Sequence, residues 1–289
     1  MAEVAAIVVC HDSAHALPDC LDALAGQGVP TIVVDNASTD GSAALAEARG
    51  ARVLRLGRNE GYGRANNRGV AAADAPFALI LNPDVILDDG AAAALVASAA
   101  RLPDAAILAP RLVEADGRVF FQPRSHLAPY LKNPGGRLHV PEGEACTPFV
   151  SGACLLVRRD AFLALGGFDE NIFLFYEDDD LCRRAADAGH SILYVPQAGA
   201  RHGRGRSSAP APGRVFRSRW HQAWSKAYVS RKYGLPDTAR AMLALNAPKA
   251  AAALLTMRRS TIERYAGSAA GALAFLRGET ALAHEGLNP

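Results

Sequence analysis

Four carboxylates stand in a row at Glu177, Asp178, Asp179 and Asp180, directly behind the aromatic run Phe173-Leu174-Phe175-Tyr176. Acids at the edge of an apolar stretch suit three tasks: starting a helix, holding a metal ion, or taking a proton as a general base. Spacing separates them. In a helix beginning near Asp178, Asp179 and Asp180 occupy the first turn, where the macrodipole favours negative charge, and Arg183 and Arg184 follow four residues on. Leu181, Ala185 and Ala188 then form the buried stripe. Glu177 and Asp178 sit at the junction with no arginine at that spacing, and burial beside like charge raises a carboxylate toward the range of a useful base.

The elements that must position such groups are legible upstream. The runs "AAIVVC" (5–10), "TIVVD" (31–35), "ARVLRL" (51–56) and "FALIL" (77–81) are nearly continuous in apolar residues, as in strands buried on both faces of a parallel sheet. Helix-like stretches separate them, with Asp40 as a candidate cap for the second, so the pattern is repeated βαβ with right-handed crossovers. A fourth helix is expected at about 89–101, a hairpin in "RLVEADGRVFF" around Asp116-Gly117, and a Pro- and Gly-rich mobile loop over 122–148. "SGACLLVRR" (151–159) reads as a further buried strand and "SILYVP" (191–196) as the last. Ligands of open α/β sheets bind beyond the carboxyl ends of the strands. Polar and acidic residues stand at those ends: Cys10-His11-Asp12, Asp35-Asn36, Asn59-Glu60 and Asn82-Pro83-Asp84.

Composition narrows the class. Half of the 289 residues are hydrophobic and 21% are charged, as in a globular α/β protein, and the net charge of +2 gives no argument for nucleic acid. Five scattered cysteines form neither a CxxC pair nor a zinc pattern and suit a reducing, cytoplasmic setting. The start reads as a first strand and not as a signal peptide, and no run approaches the about 20 apolar residues of a membrane span. The turn after the first strand, "CHDSAHAL", lacks the glycines of a dinucleotide-binding loop, "GYGRAN" (61–66) lacks the third glycine, and no GxxxxGK[ST] is present. Asp35 can accept hydrogen bonds from a base or a ribose hydroxyl. Asp84, in a proline-stiffened turn, can ligate a hard cation such as Mg²⁺, which one or two carboxylates hold together with substrate phosphates. Each such acid is equally suited to a turn or a cap.

Taken in order, "VVDNASTDGS" (33–42), "NEGYGRANNRG" (59–69), "LILNPDV" (79–85), "SGACLLVRRDAFLALGGFDENIFLFYEDDDLCRRAADAG" (151–189) and "YVPQAGARHGRG" (194–205) resemble the motif set of inverting family 2 glycosyltransferases, especially their bacterial rhamnosyltransferase-like branch. The resemblance covers residues 5 to about 233. It implies the GT-A fold, an α/β domain with a mostly parallel central sheet over residues 1–205, followed by a basic, amphipathic helical extension over 206–289. It implies that Asp35 and Asn36 contact the nucleotide base and that Asn66 or Asn67 lies near the nucleoside or pyrophosphate, although a polar helix face would show the same asparagines. Asp84 matches the second acid of the metal-binding DxD triplet, whose first position is Asn82 here. His202 matches a histidine that similar enzymes place on the metal beside that acid, while a lone surface histidine would look alike. The base of the Glu-Asp pair maps to Asp178, with Glu177 positioning the acceptor.

The activity implied is inverting transfer of a sugar, dTDP-rhamnose being the favoured donor, to a glycan or lipid-linked acceptor with a divalent cation (Mg²⁺ or Mn²⁺) as cofactor. A sugar-phosphate nucleotidyltransferase, or a non-catalytic nucleotide-sugar-binding protein, are the alternatives. The first would want a glycine-rich basic loop after the first strand. Residues 201–236 hold nine Arg and Lys, no acid, and Trp220, Trp224 and Tyr228 at helical spacing. A helix covering the core explains the aromatics, and the basic face suits peripheral contact with the inner face of the cell membrane. The Ala-rich tail over 237–289 could pack on the domain or form a dimer contact.

Overall fold

The first half of the chain alternates as expected: β1 (Val4–Cys10), α1 (Leu17–Gly26), β2 (Thr31–Asp35), α2 (Ser42–Ala48), β3 (Arg52–Arg55), α3 (Tyr62–Ala71), β4 (Phe77–Leu81), β5 (Val85–Leu87) and α4 (Ala91–Arg101). Next come β6 (Ala105–Glu114), β7 (Val119–Phe120), β8 (Ala145–Cys146), β9 (Cys154–Arg158), α5 (Arg159–Ala164), α6 (Glu177–Asp187) and β10 (Ser191–His202). Four helices close the chain: α7 (Arg214–Lys232), α8 (Thr238–Ala253), α9 (Arg259–Leu276) and α10 (Ala281–His284). This computed structural model describes residues 3–121, 125–127, 139–203, 205, 207–208 and 211–287. Residues 122–124 and 128–138 of the stretch read as a loop, and Arg204 and Arg206 of the basic stretch, lie outside the described residues.

The chain divides into two compact units, residues 1–168 with 181–209, and residues 169–180 with 210–289. The first unit is a mixed, mostly parallel sheet of order β3-β2-β1-β4-β9-β6-β10-β5. β1 pairs in parallel with β2 and β4, and β6 with β10, while β9 runs antiparallel between β4 and β6. The hairpin at Asp116-Gly117 forms, with Leu112 opposite Phe120. Side chains on one face of the sheet, among them Val8, Leu79 and Leu156, pack with Leu17, Leu24 and Leu95 from α1 and α4. Those on the other face, among them Ile7, Ile80 and Leu155, pack with Val70, Phe162, Leu181 and Ala185 from α3, α5 and α6. Successive residues of each strand feed opposite layers, as a sheet covered on both sides requires.

Three local expectations are corrected. β10 does not stop at Pro196; it continues past a register shift between Val195 and Gly199, a bulge that carries it to His202. Asp40 is not the cap of α2: Gly41 takes that position with φ 88°, and the Asp40 carboxylate accepts from the backbone N–H groups of Ala14 and Ser42. Ala188 is exposed, and Cys182 completes the buried face of α6 beside Leu181 and Ala185.

The second unit is held by a core of its own around Phe173, Trp220, Trp224, Ala227, Phe275 and Leu282. Trp220 and Trp224 are buried as the spacing predicts. α7 and α9 approach closely because Gly267 and Gly271 face the α7 backbone. A β-carbon on Gly271 would lie 2.2 Å from the Trp220 carbonyl oxygen, and one on Gly267 2.4 Å from that of Phe216. Backbone atoms cannot yield as a side-chain tip does. Gly271→Ala is therefore expected to cost about 1–3 kcal/mol in thermal or denaturant unfolding, whereas Ser268→Ala, at a half-buried position whose hydroxyl donates to the Arg264 carbonyl of its own helix, should stay within about 0.5 kcal/mol. Equal melting temperatures for the two variants would refute the close-packing account.

Candidate active site

The carboxyl ends of β1, β2 and β3 carry loops that are tied to one another. Asn36 links three of them: its side-chain NH₂ donates to Asn59 Oδ1 (2.9 Å) and Gly61 O (3.2 Å), and its Oδ1 accepts from Glu60 N–H (2.8 Å). Its carbonyl oxygen lies 3.0 Å from His11 Nδ1. Asp35 is buried at the end of β2, where Oδ1 accepts from Ser38 N–H (3.2 Å) and from the Cys10 thiol (3.6 Å). Burial, and then the neighbouring Asp35, push the Cys10 thiol up to about 12, so it is no nucleophile near neutral pH. Asp12 and Ala37 hold left-handed backbone angles, φ 51° and 63°. Strain of this kind persists where the surroundings over-determine it, as at ligand sites.

Of the two asparagines on α3, Asn67 turns to backbone: its NH₂ donates to Phe168 O (2.9 Å) and its Oδ1 accepts from Phe168 N–H (2.8 Å). This bracket requires glycine next door, because a β-carbon on Gly167, at φ +68°, would lie 2.5 Å from Asn67 Oδ1. Asn66 is fully buried; its NH₂ donates to Tyr62 O (3.0 Å), and its Oδ1 has no hydrogen-bond partner among the described residues.

Asp84 sits in the turn between β4 and β5, its side chain 2% exposed. The antiparallel pairing of β5 with β10 sets Val85 opposite His202, and this brings together residues far apart in sequence. His202 Nε2 lies 3.6 Å from Asp84 Oδ1, which also accepts from Ser207 Oγ at 2.7 Å. A cavity of about 540 Å³ opens here, lined by His15, Asp19, Asp84, Glu114, Arg201 and His202. Asn82, half-buried, is held through its backbone to Ala153 and Val85. Among the described residues no group of three or more His, Cys, Asp or Glu side chains is gathered to hold a metal ion. One carboxylate and one imidazole fit a cation whose other ligands are diphosphate oxygens and water.

In the second unit, Phe175 and Tyr176 both adopt φ 68°, two consecutive left-handed residues without the excuse of glycine. The helix they introduce starts at Glu177, so all four acids lie in its first turn. Their environments differ. Glu177 is buried, its Oε2 has no hydrogen-bond partner among the described residues, and burial followed by the charge of Asp178 drives its carboxyl well above the usual range. Asp179 is buried and Asp180 fully so, while Asp178 is half-buried, with Oδ1 accepting from Asp179 N–H at 3.0 Å.

One stripe of α7 holds this segment. Phe173 stacks on the His221 ring (4.7 Å between centroids), Ser225 Oγ donates to Leu174 O (2.9 Å), and Tyr228 OH donates to Asp169 Oδ2 (2.9 Å). The Lys232 ammonium bridges Asp169 (2.7 Å) and Asp180 (2.5 Å), and Tyr233 OH donates to Asp180 at 2.8 Å. Burial pushes the Asp169 carboxyl up, but hydrogen bonds from Lys232 and Asn171 outweigh it and hold the group below its usual range. The sequence places Lys232 among the basic residues of 201–236 and not in a core. The signal that could have placed it is its spacing from Ser225 and Tyr228, seven and four residues on one helical face.

The model of glycosyl transferase family 2 matches residues 5–166. The chain is 34% identical over 238 residues to the N-acetylglucosaminyl-diphospho-decaprenol L-rhamnosyltransferase of Mycobacterium tuberculosis, an alignment covering 69% of this chain and 78% of the relative. Among solved structures, the mannosyltransferase PcManGT from Pyrobaculum calidifontis, in complex with GDP-Man and Mn²⁺, superposes with a TM-score of 0.58 at 18% identity, over 95% of this chain and 87% of that one. GalNAc-T7, solved with UDP, GalNAc and Mn²⁺, gives a TM-score of 0.58 at 16% identity over 81% of this chain, which spans only 51% of it. At such identities these structures establish a shared GT-A fold. With that fold, the family match and the rhamnosyltransferase relative in hand, the chain belongs to glycosyl transferase family 2 and is a nucleotide-sugar-dependent glycosyltransferase.

Proposed function

We propose that this enzyme transfers L-rhamnose from dTDP-rhamnose, with inversion, to a hydroxyl of a lipid-linked glycan acceptor in cell-surface polysaccharide assembly, on the cytoplasmic side of the membrane. The sugar and the lipid-linked acceptor follow the mycobacterial relative, whose name specifies a diphospho-decaprenol acceptor and rhamnosyl transfer, and the dTDP carrier follows the resemblance to the rhamnosyltransferase-like branch. Asp178 takes the proton of the acceptor hydroxyl. The freed oxygen pair forms the new bond to the anomeric carbon, the bond from that carbon to the diphosphate breaks, and the nucleoside diphosphate leaves with the electron pair. Asp35 binds the base end of the donor, with Asn82 toward the nucleoside, while Asn36 and Asn66, both buried, brace the loop after β3 and the first turn of α3. Asn67 serves as the bracket of Phe168. Asp84 and His202 would hold Mg²⁺ or Mn²⁺, which when bound offsets the charge building on the diphosphate.

One observation carries the choice of base. Asp178 is the one acid of the four that is not buried, while Glu177 beside it is buried and driven toward its neutral form. A base must meet both its substrate and the solvent that recharges it. Glu177 keeps the role of positioning the acceptor, as a hydrogen-bond donor.

Donor choice is tested by thermal shift with dTDP-, UDP- and GDP-sugars, each with and without Mg²⁺ or Mn²⁺. The largest stabilisation is expected from dTDP-rhamnose with a cation, and Asp84→Asn should weaken donor affinity about tenfold by removing a carboxylate from the cation's ligand set. A larger shift with a UDP-sugar would overturn the donor assignment. Cation-independent binding that survives Asp84→Asn would overturn the role of Asp84.

A further inference from the structure

The most exposed large apolar side chains among the described residues stand together where α8 gives way to α9: Leu254 (62% exposed), Leu255 (87%) and Met257 (89%). They lie in and just after a single 3-10 turn, and Met257 holds a left-handed φ of 51°. A water-facing turn gains nothing from such residues, and three at once are not the scattered apolar surface of an ordinary protein. The charge around them has one sign. From 249 to 264 the chain carries Lys249, Arg258, Arg259 and Arg264 against a single acid, Glu263, which pairs with Arg259 at 2.7 Å. All four basic residues are exposed.

An apolar tip flanked in sequence by exposed arginine and lysine is complementary to a surface that is apolar inside and anionic at its rim. We infer that the turn at Leu254–Met257 dips into the headgroup region of an anionic bilayer, with Arg258 and Arg259 at the phosphate level. No helix among the described residues is long and apolar enough to cross a membrane, so the contact is interfacial. Its site differs from the basic stretch 201–236 to which the sequence pointed. It bears on the proposed function in one respect, since a lipid-linked acceptor is presented at such a surface.

Co-sedimentation with vesicles of zwitterionic lipid, and of the same lipid mixed with phosphatidylglycerol, tests it. The wild type should pellet with the anionic vesicles and be released by high salt. The double variant Leu255→Glu, Met257→Glu should bind at least about tenfold more weakly. Arg258→Gln and Arg259→Gln should each cost about fivefold and flatten the salt dependence. In a separate variant, Leu255→Trp, the tryptophan emission should shift to the blue on adding anionic vesicles. Transfer to a short-chain, water-soluble acceptor should be unchanged in all of these, so a failed membrane contact is distinguishable from a failed catalytic assignment. Wild-type pelleting by the double glutamate variant would overturn the inference. So would loss of a dimer by that variant in velocity sedimentation without change in vesicle binding, which would make the turn a contact with a second copy.

Discussion

Asp178→Asn is expected to lower kcat about a thousandfold while leaving donor affinity within about twofold. The substitution is close to isosteric. The asparagine Oδ1 can still accept from Asp179 N–H, now 3.0 Å from Asp178 Oδ1, so the first turn of α6 should persist and the loss should fall on basicity alone. Glu177→Gln is the informative partner. That carboxyl is buried, has an unpartnered Oε2, and is driven well above its usual range by burial and by Asp178. An amide there replaces a group already inclined to be neutral, and the loss should be about tenfold or less. Steady-state transfer assays with titration calorimetry of the donor decide the matter. Turnover by Asp178→Asn at the wild-type rate would remove the base assignment, and a reversed order of the two variants would move it to Glu177.

How far these groups could be placed from sequence depended on whether the deciding contact was local. The strands β1, β2 and β4 announce themselves because burial on both faces demands apolar residues at every position, and the acids at their ends follow. The reversed direction of β9 does not, because "CLLVR" is equally apolar whichever way it runs; pairing with β4 and β6 decides it. His202 was located in sequence after a strand, but its approach to Asp84 depends on a bulge that extends β10 and on the β5–β10 pairing. Asn67 reads as a ligand-facing asparagine until Phe168 is found on both ends of its amide. Asp180 looked like an ordinary helix-start acid, yet it is fully buried. A lysine on a different helix bridges to it, and while the spacing from Ser225 and Tyr228 sets the face of α7 that carries Lys232, it does not tell what that face meets.

That lysine yields the second large effect. The Asp180 side chain is 0% exposed, and the Lys232 ammonium, 29% exposed, neutralises it together with Asp169. Lys232→Met keeps the stem and removes the charge. Tyr233 OH still donates to Asp180, but a buried carboxylate that loses its counter-ion costs about 3 kcal/mol. The cost should also appear in catalysis. Asp180 follows the proposed base by two residues in the same helical turn, and Asp169 opens the segment that leads into it, so loosening both anchors should lower kcat about tenfold with the donor KM unchanged. Lys232→Arg retains the charge and should recover most of both losses, which distinguishes an electrostatic anchor from mere packing by the stem. Denaturant unfolding and steady-state kinetics on the two variants test this account. A Lys232→Met enzyme with wild-type stability and kcat would show that the bridge from α7 to the acidic turn holds nothing in place.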